Sequence, residues 1–279
     1  MIALLAFLAA TVLTACAEPV TDIGTPTIPT GDALVIRVQY VDGFVPVEYN
    51  ASQLPLLSVY ADGRVLTQGA QPAIYPGPAL PNIEERLISR DDVARLAGQA
   101  IAAGVGSGAD YGQPNVMDAP STKFTVHTED RTYQSSANAL GMDPGGGLSS
   151  SQRKARQKLR DLLDKLTDLP KTLGAGAVGK SKSYEAASVS VLASPYTPPT
   201  DIPAPPQIEW PGPDLPGAPF FAGGQISCLT ANGAQAQTVL SAAAKANTAT
   251  GWTAKGETWH LTFRPLLPDE NGCDDLKSR

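Results

Sequence analysis

Two of the residue types that most often carry chemistry are scarce in this chain of 279 residues. There are two histidines, His127 and His260, and three cysteines, Cys16, Cys228 and Cys273. Neither histidine stands in an H-E-x-x-H zinc motif, and no G-x-S-x-G nucleophile elbow occurs. Lys and Arg number 21 against 27 Asp and Glu, a formal net charge of −6. That balance opposes generic nucleic-acid binding, which needs a basic face. The N-terminal apolar run, residues 2–13, falls short of the ~20 residues that a membrane-spanning helix needs. No motif calls for a cofactor or a resident metal.

What is present begins with that run. MIALLAFLAATVLTACAEP has the length of a signal-peptide h-region, followed by Leu13-Thr14-Ala15-Cys16. Small residues directly before a cysteine resemble the lipobox of bacterial lipoproteins. The resemblance implies that Cys16 receives a diacylglyceryl group and becomes the first residue of the mature protein. It implies a cell-membrane location, lipid-anchored on the extracytoplasmic face. No Lys or Arg precedes the apolar run, which departs from the pattern and suggests a true start upstream of Met1. The alternative is a plain cleaved signal peptide with Cys16 incidental. With Cys16 lipidated, Cys228 and Cys273 are left to pair in an oxidising compartment.

Residues 174–181, GAGAVGKS, match G-x-x-x-x-G-K-[ST] letter by letter. A working phosphate loop joins the end of a strand to the start of a helix, whose N–H groups face the phosphates. Here a helix precedes and a strand follows, so the expectation is a flexible loop, Lys180 in water and no nucleotide partner.

Along the chain, residues 17–31 read as a Thr/Pro-rich tether and 33–41 as a strand. Residues 56–67 form a hairpin turning at Asp62-Gly63. Four prolines make 71–81 loop or extended chain. Residues 90–104 read as a helix capped by Ser89 and closed by Gly104. Residues 122–137 form a second hairpin, with Phe124 and Val126 on one face and Lys123, Thr125 and His127 on the other. A helix over 149–170 opens with a Ser149/Gln152 capping box and stops at Pro170. Its leucines form one face, and Arg153, Lys154, Arg156, Lys158 and Arg160 scatter over a solvated opposite face. A strand spans 184–196. Ten prolines in 195–219 demand a linker or surface strap. A helix near 234–246 and a hairpin at Lys255-Gly256 end the chain, with Asp269, Glu270, Asp274 and Asp275 as a solvated acidic tail lacking EF-hand spacing.

The expected fold class is α+β: antiparallel hairpins with two or three helices on one face. The expected organisation is a signal peptide over 1–15, a tether over 16–31 and an α+β domain over 32–193. A Pro-rich linker or strap follows over 194–222, then a smaller disulfide-bearing unit over 223–279. The Tyr60-x-Asp62-Gly63-x-Val65 hairpin and the elements that follow to residue 169 resemble a small bacterial envelope domain of unknown function. The whole chain resembles uncharacterised secreted lipoproteins of high-GC Gram-positive bacteria. Neither resemblance supplies a catalytic residue.

The two histidines sit on polar strand faces, where a solvent-facing role competes with a general base or a ligand. His127, Glu129 and Asp130 surround a turn that is polar in any case. Tyr75, Trp210, Phe220 and Phe221 are the candidate partner surface, unless they strap down on the domain's own core. Three function classes remain: a non-enzymatic binding or structural envelope lipoprotein, an extracytoplasmic hydrolase using His127 or His260, and a small-molecule or lipid carrier. The envisaged partners are the membrane, through Cys16, and an envelope protein or wall component.

Overall fold

Strand alternation and local turn chemistry account for the first sheet. The computed structural model describes residues 25–142 and 146–277. Strand β1 (Leu34–Val41) is followed by a short helix α1 (Val47–Ser52) and a hairpin of β2 (Leu57–Tyr60) and β3 (Arg64–Gln68). Gly63 turns that hairpin at φ 91°, a left-handed conformation that favours glycine. A Cβ there would also run into the carbonyl oxygen of Ile88. Strand β4 (Ile83–Leu87) leads into α2 (Arg90–Ala102), whose first turn is capped by Ser89 Oγ accepting from the Asp92 N–H. Strands β5 (Ser121–His127) and β6 (Thr132–Asn138) form the second hairpin, then α3 (Ser150–Thr167) opens with the full Ser149/Gln152 capping box. Pro170 does end that helix, but it also lies in the first turn of a further short helix, α4 (Leu169–Leu173).

With the two-residue β7 (Lys182–Ser183), these strands make an antiparallel sheet in the order β6-β5-β1-β2-β3-β4-β7. One face is apolar. Val38, Val59, Phe124 and Val126 pack there against Leu96 of α2 and Leu159, Leu162 and Leu166 of α3. Arg156 departs from the expected solvated face of α3: its side chain is wholly buried. Its guanidinium donates to the carbonyls of Tyr111, Asn138 and Ala139, tying α3 to the end of β6. A planar five-donor head suits unpaired loop carbonyls, so a charge was the right group to bury there.

The second sheet has the order β10-β11-β8-β13-β12-β9. Its members are β8 (Ser188–Pro195), β9 (Ile208–Glu209), β10 (Ala218–Pro219), β11 (Ser227–Asn232), β12 (Gly251–Ala254) and β13 (Glu257–Pro265). All its pairings are antiparallel except β9 with β12. Strand β8, which the sequence put at the end of the first domain, is central here. Helix α5 (Gly233–Ala243) covers one face, with Ala236 and Val239 against Val191, Trp252 and Phe263. The fold is α+β, built from two largely antiparallel sheets with helices on them.

Two segments expected to hang free are docked. Ile28, inside the predicted tether, is buried, and its carbonyl accepts from Arg90. The Thr27 carbonyl accepts from the Glu129 N–H at the β5–β6 turn. Residues 1–24, with Cys16 and the predicted signal peptide, lie outside the described residues. The acidic stretch after β13 is likewise no solvated tail. Cys273 is bonded to Cys228 of β11, and Leu276 packs with Leu192, Phe220 and Cys228.

Candidate functional site

The face of the first sheet opposite its helices is polar in β1 and β5. Alternation sends Ile36 and Val38 into the core and Arg37 and Gln39 the other way. In β5 it sends Lys123, Thr125 and His127 to that same side, and Arg37 stands opposite Thr125 in the ladder. The C-terminal segment closes the other wall with Asp269, Glu270 and Asp275. Between them lies an open groove of about 250 Å³.

Several of the groove's polar groups are bound to one another. Arg37 Nη2 lies 2.7 Å from Asp269 Oδ1, and Tyr60 Oη donates to the same oxygen at 2.7 Å. Arg37 Nε donates to Ser58 Oγ at 3.2 Å. Behind this, Glu270 accepts from Arg264 at 2.9 Å and from the Leu267 N–H at 2.9 Å, both charges fully buried. Burial alone would raise the Asp269 carboxyl, but Arg37 and the Tyr60 hydroxyl outweigh it and hold the group below its ordinary range. Burial and the Asp269 charge push the Tyr60 phenol well up, so it remains a donor. Burial, with the Arg37 charge adding to it, lowers His127, which stands neutral at neutral pH.

The sequence named His127 and His260 as the candidate bases. His127 lines the groove, with Nδ1 2.9 Å from Thr132 Oγ1. His260 belongs to the second sheet, where burial lowers it and the Glu48 carboxylate of α1 works the other way. The two imidazoles are therefore not brought into one site. Of the candidate partner residues, Tyr75 is 68% exposed and Phe221 is 43% exposed. Trp210 and Phe220 are buried instead. Trp210 stacks edge-on with Trp252 at 5.8 Å, and Phe220 sits beside the disulfide. The proline-rich strap thus lays its largest aromatic into the core of the second sheet.

GAGAVGKS has the order that denies phosphate binding. Gly174 follows α4, residues 175–177 make one 3-10 turn, and β7 follows. The loop is pinned rather than flexible: the Gly179 N–H donates to the Leu87 carbonyl at 2.8 Å. Ser181 Oγ donates to Glu84 at 2.7 Å, which sets a carboxylate where a phosphate would need none. Lys180 is exposed.

Sequence reasoning did not single out Arg37, read Tyr60 only as part of a hairpin motif, and assigned Asp269 and Glu270 to a solvated tail. Their partners lie up to 232 residues apart, and no local pattern announces such a pairing. A pocket of about 660 Å³ between α2 and the α3–α4 junction is open and lined by Asp161, Asp164, Asp168, Lys165 and Lys171. Among the described residues no group of three His, Cys, Asp or Glu is placed to hold a metal ion. No helix among them is long and apolar enough to cross a membrane. No family model matches the chain, and neither a curated protein nor a solved structure matches it.

Proposed function

We propose that the protein is a membrane-anchored extracytoplasmic lipoprotein whose folded part binds or braces an envelope component rather than catalysing a reaction. The lipid anchor is carried by the Leu13-Thr14-Ala15-Cys16 box directly after an apolar run. The disulfide supports an oxidising compartment. The single observation that carries the non-catalytic half is the commitment of the groove's charges. Arg37, Tyr60 and Asp269 satisfy one another, and a paired, part-buried network of this kind supports a bracing role.

The docking of Thr27 and Ile28 fixes the standoff from the membrane. Ten residue steps separate Cys16 from Pro26, so the domain surface can stand at most about 35 Å from the lipid at ~3.5 Å per residue. Replacing Cys16 by Ser tests the anchor by cell fractionation. The variant moves to the soluble extracytoplasmic fraction, whereas retention at the membrane would remove the anchor from the proposal.

A second reading, an extracytoplasmic hydrolase, is favoured only by the half-buried, neutral His127 beside Arg37 and Asp269. His127→Ala leaves the cellular phenotype unchanged if the groove is structural and abolishes it if His127 is a general base. A carrier for apolar molecules is not favoured, because the pocket of about 660 Å³ and the groove of about 250 Å³ are both open to solvent rather than enclosed.

A further inference from the structure

Six of the eleven large apolar side chains exposed among the described residues gather at one end of the first sheet. They are Phe44, Val45, Val47, Tyr49, Met117 and Met142, with Phe44 89% and Met117 88% exposed. The chain brings them together. Val41 pairs with Ser121 and Ser121 with Asn138, so the end of β1, the start of β5 and the end of β6 share one edge. Gly43 lies against Pro120, and the Ala139 N–H donates to the Pro120 carbonyl. The Met142 N–H in turn donates to Ala139.

The same edge concentrates unfavourable backbone. Among the described residues four non-glycine residues have positive φ, and three of them are here: Asp42, Asp118 and Ala139. Left-handed backbone disfavours a Cβ, and for alanine no side-chain hydrogen bond compensates. Exposed apolar side chains held on backbone of this kind are characteristic of binding loops. The segments that carry these side chains are acidic. Residues 38–52, 112–120 and 138–142 contain Asp42, Glu48 and Asp118 and no Lys or Arg.

We infer that this edge is a docking tip for a protein partner that offers an apolar pocket rimmed by lysine or arginine. Charge decides among occupants. An anionic phospholipid surface would be repelled by the acidic rim. A second copy meeting this tip head-on would set Asp42, Glu48 and Asp118 against themselves. A basic-rimmed protein pocket is complementary in both respects. Position agrees. Thr27 docks at the β5–β6 turn, the other end of the seven-residue β5, about 20 Å away at ~3.3 Å per residue. An N-terminal tether therefore leaves the domain at the end opposite the tip.

The test uses full-length protein in a Cys16→Ser background, so that a lipid anchor cannot contribute and the result is independent of the anchor. A photo-crosslinking benzoylphenylalanine is placed at Phe44 or, as control, at Tyr75, which is also well exposed. The probes are two amphipathic peptides of one length, alternating Phe and Leu with Lys in one and with Glu in the other. The Lys peptide crosslinks at position 44 at least tenfold more than at position 75, and the Glu peptide does not. Met117→Ser and the pair Asp42→Lys with Asp118→Lys each reduce that yield about tenfold, and salt reduces it further. Equal yields at the two positions, or no effect of charge reversal, overturn the proposal. So does phosphatidylglycerol vesicle binding, or a dimer in sedimentation, that is lost in Phe44→Ser. Phe44 and Met117 are almost fully exposed, and unchanged thermal melts of the variants confirm that folding is intact.

Discussion

At the residue scale, two buried arginines and one carboxylate decide more than the histidines do. Arg156 gives its guanidinium to three backbone carbonyls. Burial lowers its pKa, with the Arg160 charge adding to that, yet an arginine stays charged. Arg156→Met keeps the volume but leaves those carbonyls without donors, which costs about 3 kcal/mol at 1–3 kcal/mol per unsatisfied group, allowing for relaxation. Urea melts of the variant check this, and a loss below 1 kcal/mol would mean that water or backbone movement replaces the donors. Asp269 controls the acid side of stability. Its folded pKa is depressed while its unfolded value is near ~3.9, so its contribution is complete above that value. That contribution is lost as pH falls through the folded pKa. Asp269→Asn lowers stability at neutral pH by about 1–3 kcal/mol. It also flattens the decline below about pH 4, which melts taken from pH 7 to pH 2.5 will show.

At the element scale, the disulfide holds the acidic wall of the groove in place. Cys228 lies in β11, and the loop closed with Cys273 spans 45 positions. Cys228→Ser with Cys273→Ser costs about 2–5 kcal/mol. The specific expectation is that hydrogen exchange rises first over residues 266–277, because Asp269 and Glu270 lose their clamp. Uniform exchange across both sheets would place the disulfide's effect elsewhere. Gly63 fixes the β2–β3 turn: Gly63→Ala meets Ile88 and also carries the cost of a positive φ. A loss of at least about 1 kcal/mol in a thermal or urea melt is expected.

Elements of this kind were legible because their causes are local. Asp62-Gly63 and Lys255-Gly256 turn hairpins through the φ values of two adjacent residues. The Ser149/Gln152 box and the Ser89 cap bond across three residues. The fold class followed from such pieces. What was not legible depends on distant partners. Arg37 and Asp269 lie 232 residues apart in the chain, so only the tertiary fold brings them together. For Trp210 the sequence left open a partner surface or a strap on the domain's own core, and the proline-rich segment lays it against Trp252. Ile28 sat in a segment with tether composition, and one apolar side chain in a Thr/Pro run gives no periodicity to read. The membership of β8 in the second sheet likewise depends on pairing with β11 and β13, which alternation alone does not specify.

At the scale of the whole molecule, the two sheets are joined by polar side chains, by backbone hydrogen bonds and by apolar packing of Tyr60, Leu66 and Ile83 with Leu267. The Tyr184 hydroxyl donates to the Leu266 carbonyl, and Asp269 ties the C-terminal segment to β1 and β2. The β3–β4 loop adds a third tie, with the Ala79 N–H donating to Ala246 and the Thr248 N–H to Gly77. On the proposed reading, the chain leaves the lipid on a short lead and offers the apolar tip at the end away from it, so that a partner is held at a set distance from the membrane. The most direct test of that reading is mass spectrometry of the mature N-terminus from membranes. The proposal requires a first peptide that begins at Cys16 and carries the added mass of a diacylglyceryl group. A mature chain that retains residues 1–15, or one that begins elsewhere with Cys16 unmodified, would contradict it.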